Sequence, residues 1–236
     1  ADEARMRLAQ VMSALAADAG MPGALVPAAA VLSCVVPALE RPWKAALSRT
    51  CTGRVLTVGP GLKTGMPVHY DDPAEIGPDR IADAVAARAV YGSPCIVIDL
   101  GTTTNIEVID ARGTFVGGVI APGLALGARS LSAAAARLPQ VEPSAPTHVI
   151  GRNTREAMRS GVVLGEVARI DGMLDMVLAE MRSTKAAGEG SVPIVITGDD
   201  AEALAALVGH SLTVDDALTL RGLAELYRIN QKPRRA

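Results

Sequence analysis

Residues Ile96–Gly113 read IVIDLGTTTNIEVIDARG. Two apolar runs rich in β-branched residues flank a centre of aspartate, glycine and three threonines, which predicts two strands joined by a turn. A minimal hairpin uses Asn-Gly or Gly-Asn and then stops. Here the connection goes on supplying hydroxyls and backbone donors. Asp99 closes the first strand, and Gly101 puts a residue without Cβ at the crest, where backbone N–H groups can approach an anion closely. Thr102 and Thr103 add hydroxyl donors for phosphate oxygens, and Asp99 can hold a cation that offsets phosphate charge. The same composition also suits a plain hairpin turn filled with β-branched residues.

The rest of the chain narrows the options. With 236 residues, 49% of them hydrophobic and 20% charged, it has the composition of a globular protein of one large or two small domains. A net charge of -2 gives no electrostatic case for nucleic acid or an anionic membrane surface. Aromatic residues make up 2%, too few for base-stacking platforms. Cys34, Cys51 and Cys95 lie far apart beside apolar runs, and the three histidines are scattered. That pattern reads as buried free thiols in a reducing cytoplasm, not as zinc ligands or a disulfide framework. No apolar run reaches the roughly 20 residues that span a bilayer, and no signal-peptide pattern opens the sequence.

Along the chain, an amphipathic helix opens the sequence with Leu8, Val11, Met12 and Leu15 on one face. A strand at Val31–Val36, a helix at Pro42–Arg49 and a strand at Arg54–Val58 are predicted next. A Gly/Pro-punctuated loop leads to a helix over Arg80–Val90. Strands follow at Cys95–Leu100, Asn105–Asp110 and Thr114–Ile120, then a helix to Arg137. A short strand at His148–Ile150 and a long helix from Thr154 to Met181 come next. The chain finishes with a strand ending at Thr197, a helix over Ala201–Val208, a strand at Ser211–Val214, a helix over Ala217–Ile229 and a solvated tail, KPRRA. The β-β-β-α-β-α-β-α order fits a mixed sheet with helices on both faces. The first third supplies only two strands, too few for a stable sheet. Residues upstream of this sequence, or another polypeptide, are therefore expected to complete it.

A second polar cluster, YDDPAEIGPDR, spans Tyr70–Arg80. Asp79 and Arg80 fall where a helix begins. Asp79 can serve there as a cap or first-turn acid. It can equally accept a proton from a hydroxyl nucleophile while Arg80 holds an anionic group of the same substrate.

Taken together, IGPDRIADAVAARAVYGSPCIVIDLGTTTNIEVID, GGVIAPG, RLPQVE and IGRNTREAMRSG resemble the type III pantothenate kinases, in order and over essentially the whole chain. The resemblance implies an α/β protein of the acetate and sugar kinase/Hsp70/actin superfamily, with two ribonuclease-H-like domains. It divides this chain into residues 1–76, a partial N-terminal domain, and residues 77–236, the C-terminal domain. It implies ATP-dependent phosphorylation of pantothenate, with Asp79 as proton acceptor and Tyr70, Gly77, Pro78 and Arg80 around the substrate. Thr154 is implied to reach substrate across a dimer interface. Asp99 is implied to bind a monovalent cation, potassium or ammonium. Thr102, with Gly101 and Thr103, is implied to meet ATP phosphate, magnesium accompanying the nucleotide.

Several positions depart from the family pattern. The family opens with a DxGNT-type phosphate loop that precedes the first residue of this sequence. Asn105 stands where threonine is usual, Glu107 where aspartate is, and Ala135 where the TAxLP threonine is. Thr197-Gly198-Asp199 replaces a TGG segment, placing an acid beside the expected nucleotide. These departures leave a second reading open: a non-catalytic or half-catalytic subunit that completes a homologous partner's active site. A third is a regulatory relative that binds pantothenate without phosphorylating it.

Overall fold

The structure, a computed structural model, describes residues 2–23 and 25–231. The KPRRA tail expected to be solvated lies outside them. The chain divides into two compact units: Ala1–Met66 with Asp71–Ala86 and Thr219–Ala236, and Pro67–Tyr70 with Ala87–Leu218.

In the first unit, helix α1 (Asp2–Asp18) packs against α2 (Pro37–Thr50). Strands β1 (Ala30–Leu32) and β2 (Val55–Thr57) pair in parallel. Three expectations are corrected here. Of the face expected on α1, Val11 and Leu15 are exposed; Ala4 and Ala16 are the buried residues, small enough for close helix contact. Strand β1 stops at Leu32 instead of reaching Val36. Helix α2 starts at Pro37, which takes the first-turn position where proline's missing N–H costs nothing, so Pro42 lies inside the helix. Helix α3 (Pro78–Tyr91) begins in this unit, and the last helix, α8 (Leu218–Ile229), crosses it closely. A Cβ at Gly222 would collide with the backbone carbonyl of Ala82, so only glycine permits that approach.

The second unit is built on a five-stranded sheet. Its strands are β3 (Cys95–Leu100), β4 (Thr103–Ile109), β5 (Phe115–Pro122), β6 (Ile194–Gly198) and β7 (Thr213–Val214), in the order β5-β4-β3-β6-β7. Strands β3, β4 and β5 run antiparallel in sequence, while β6 and β7 are parallel to β3. This is the ribonuclease-H-like arrangement. Cys95, Ile96, Val97 and Ile98 are fully buried, as a central strand covered on both faces requires. Helices α4 (Leu124–Ala134), α5 (Thr154–Arg159), α6 (Gly165–Ser183) and α7 (Ala201–Ala205) complete the unit. Val163, Val167, Ile170 and Leu174 recur at helical spacing and pack with Ile96, Ile98, Ile106 and Val108 of the sheet. Each such side chain contributes roughly 1.5–3 kcal/mol on full burial.

The expected helix from Thr154 to Met181 forms, but Ser160–Leu164 has π-helical bonding. The expected strand at His148–Ile150 does not form. Among the described residues no strand pairs with it, and Val149 and Ile150 are 74% and 83% exposed. No helix among the described residues is long and apolar enough to cross a membrane.

Candidate active site

The turn between β3 and β4 sits at the end of the second unit's sheet. Gly101 N–H donates to the Thr103 carbonyl at 3.0 Å, closing the turn on itself. The hydroxyls of Thr102 and Thr103 make no hydrogen bond among the described residues, which leaves them available to an anion. Two further segments brace the turn. Gly123 N–H donates to the Thr102 carbonyl at 3.0 Å, and Asp199 N–H donates to the Leu100 carbonyl at 2.7 Å. A Cβ at Gly123 would strike the Gly101 carbonyl, whereas one at Gly101 would meet nothing closer than 3.9 Å. The glycine demanded by sterics is thus Gly123, at the mouth of α4; the spacing alone pointed to Gly101.

Alternation along the strands puts Asp99, Asn105, Glu107 and Thr197 on one face of the sheet. Ile96, Ile98, Ile106 and Val108 occupy the face covered by α6. Asp99 pairs in register with Asn105 on β4 and with Thr197 on β6, so the three form one row across three strands. Asn105 and Thr197 are 5% and 2% exposed. Neither was singled out from sequence as a site residue. The two-residue period from Asp99 back through the turn could have found Asn105, but nothing local could have found Thr197.

Tyr70 lies beside β5. Its ring stands 6.1 Å from the ring of Phe115, and its edge is 3.9 Å from where a Gly117 Cβ would be. Thr154 opens α5 and is exposed. It is held there by a capping box: the Asn153 side chain accepts the Glu156 N–H at 3.0 Å, and Glu156 accepts from Arg152 N–H and the Asn153 amide. Those two bonds, that of Arg152 first, hold the Glu156 carboxyl below its ordinary range.

In the first unit, Gly77, Pro78, Asp79 and Arg80 form the start of α3. Pro78 is the first helical residue, and Asp79 follows it. The half-buried Asp79 carboxylate accepts the Arg80 N–H at 2.8 Å through Oδ1. Arg80 is 4% exposed. The site residues named from sequence therefore fall into two groups: Gly77, Pro78, Asp79 and Arg80 in the first unit, and Tyr70, Asp99, Gly101, Thr102, Thr103 and Thr154 in the second.

A cavity of about 680 Å³ lies elsewhere in the second unit, on the α6 side, lined by Val108, Val116, Val119, Val177 and Met181 with a charged rim. It contains none of these residues. The polar row and the turn, by contrast, bring oxygen-bearing side chains and the unbonded Thr102 and Thr103 hydroxyls to the end of β3 and the start of β4.

The ribonuclease-H-like sheet, with a threonine-rich turn beside a carboxylate at the end of β3, is an architecture of the actin-like ATPase fold. More narrowly, the chain belongs to the type III pantothenate kinase family, whose profile matches residues 1–176. It is 42% identical over 201 residues to the type III pantothenate kinase of Koribacter versatilis (strain Ellin345), a match covering 85% of this chain and 71% of that protein. It is 40% identical over 233 residues to type III pantothenate kinase 2 of Symbiobacterium thermophilum, covering 98% of this chain and 84% of that one. The crystal structure of a conserved Baf-family protein from Campylobacter jejuni shares the fold, with a TM-score of 0.55 at 22% identity over 83% of this chain and 80% of that one.

Proposed function

We propose that this protein transfers the γ-phosphate of ATP to the hydroxyl of pantothenate in the cytoplasm, giving 4'-phosphopantothenate, the first step of coenzyme A synthesis. Beyond family membership, one observation supports this reading: two unbonded threonine hydroxyls stand beside the Asn105–Asp99–Thr197 row. Phosphoryl transfer asks little covalent chemistry of a protein; positioning and charge neutralisation supply most of the rate.

The roles divide as follows. Asp79 takes the proton from the pantothenate hydroxyl. A positioned base of this kind is worth about 10²–10⁴ in rate. Arg80 binds the substrate's carboxylate, and Gly77, Pro78 and Tyr70 also serve pantothenate binding. Thr154 is offered to the substrate of a second copy in a homodimer, where the exposed Val149 and Ile150 would be covered. Thr102 and Thr103 donate to phosphate oxygens.

Among the described residues no three His, Cys, Asp or Glu side chains gather as a metal site. The Asp99 row instead offers one carboxylate with amide and hydroxyl oxygens, a hard donor set suited to a weakly held monovalent ion. Asp99, Asn105 and Thr197 would hold potassium or ammonium, which would supply positive charge near the phosphates. Magnesium would arrive with the nucleotide.

Pantothenate-dependent ADP release tests the activity. Asp79→Asn should abolish turnover while calorimetry still detects pantothenate binding. A variant that turns over at the wild-type rate would reduce Asp79 to a first-turn helix acid.

A further inference from the structure

Glu166 is 4% exposed and occupies a core position of α6, between Val163 and Val167 on the stripe that faces the sheet. An unpaired carboxylate there would carry the full desolvation penalty of a buried charge. Both of its oxygens are engaged. Oε1 accepts the Thr104 hydroxyl at 2.6 Å, and Oε2 pairs with the Arg169 guanidinium. Arg169 also donates to the Pro122 carbonyl at 2.6 Å. The next residue, Gly123, is the one whose N–H holds the Thr102 carbonyl. A closed circuit results, running Thr102, Thr104, Glu166, Arg169, Pro122, Gly123 and back to Thr102. One residue short of Glu166, the π-helical stretch Ser160–Leu164 shifts the phase of the helix. Such stretches recur at functional sites.

We propose that Glu166 and Arg169 are positioning residues for the phosphate turn. Through Thr104 on one side and Pro122-Gly123 on the other, they fix the turn in the shape that receives the nucleotide. This rests on the reading of the turn as the element that meets ATP phosphate. Glu166 and Arg169 touch no reacting atom; they act through Thr104 and Gly123.

The test is calorimetry on the full chain, with a β,γ-imido analogue of ATP and with pantothenate titrated separately. Glu166→Gln and Thr104→Val should each weaken analogue binding roughly tenfold, the scale of one lost hydrogen bond to a charged group. Pantothenate affinity should stay within about twofold, because the Asp79 segment is untouched. Thr104→Ser, which restores the hydroxyl, should recover most of the loss, a pattern that a packing defect does not give. Thr102→Ala serves as the control. If it weakens analogue binding while Glu166→Gln and Thr104→Val lower only the melting temperature, the circuit is structural and the proposal is wrong. If Thr102→Ala itself leaves the analogue affinity unchanged, the phosphate reading of the turn fails instead. Should Glu166→Gln not fold, the Val/Ser pair at Thr104 decides the matter alone.

Discussion

Asp99 and Asn105 stand directly opposite each other across the antiparallel β3–β4 ladder, with Thr197 in register on the far side of Asp99. Three oxygen-bearing side chains, one a carboxylate and two neutral, are thereby brought to one row. A monovalent cation held there would add positive charge where phosphate charge develops. Asp99→Asn should lower turnover by about 10²–10³-fold, the scale of one lost electrostatic stabiliser, and abolish activation by potassium. Initial rates measured against potassium concentration, with choline holding ionic strength constant, check both parts. An Asp99→Asn enzyme that potassium still activates would move the ion elsewhere.

Asp199 follows the conformationally demanding Gly198, whose φ is +90° and whose Cβ would collide with the Leu100 carbonyl. The Asp199 backbone braces the turn while its side chain is exposed. A carboxylate near a polyphosphate repels it by roughly 1 kcal/mol at solvent-like screening, or about fivefold in affinity. Asp199→Gly should therefore lower the KM for ATP by about that factor and leave the KM for pantothenate unchanged. The gain should shrink as salt is raised toward 1 M, where screening shortens to about 3 Å. A gain that persists at high salt would point to relief of crowding instead.

How much of this was legible in the sequence depends on range. β3 was readable to the residue, because the unbroken apolar run Cys95–Ile98 is followed by Asp99, Leu100 and a glycine turn. The segment His148–Ile150 has strand-like residues, yet strands need neighbours, and Pro143 and Pro146 precede it with no ladder beside it. Asp99 could be placed at a strand end from its own neighbourhood. Its partner Thr197 lies about a hundred residues on, and a parallel register leaves no local trace. Glu166 reads as an ordinary outward-facing helix acid until Thr104 and Arg169 are seen to satisfy it. Neither the π-helical stretch nor those partners could be inferred from periodicity.

The cysteines should separate by reactivity. Burial pushes the Cys95 thiol up to about 12, against a weaker opposing hydrogen bond with the Ile96 backbone, and also raises Cys51. Cys95 is fully buried and Cys51 is 8% exposed, while Cys34 is half-buried and lies outside any helix or strand. Thiolate is the reactive form, so in native protein at pH 8 a thiol reagent should modify Cys34 first. Cys51 and Cys95 should follow only on unfolding. Mass spectrometry of the labelled peptides reads the order, and early labelling of Cys95 would contradict the packing of β3.

The loop between α7 and β7 is tied to α6 by a small ionic cluster, and its strength should depend on pH. Asp171 accepts the Gly209 N–H at 3.0 Å and lies 2.9 Å from His210 Nδ1, while Asp175 lies 3.2 Å from Nε2 of the same ring. Burial pushes the Asp171 carboxyl up. The bonds from His210 and Gly209, with the charge of His210, outweigh that and hold it below the ordinary carboxylate range. The folded protein therefore binds this proton less readily than the unfolded chain does. Stability from Asp171 is fully present above the ordinary carboxylate range and is lost as pH falls through the depressed folded value. Asp171→Asn should accordingly be less stable than wild type in urea at pH 7, and the difference should narrow as pH approaches about 3. A gap of the same size at both pH values would show that the carboxylate's charge contributes nothing and that only the shape of the contact matters.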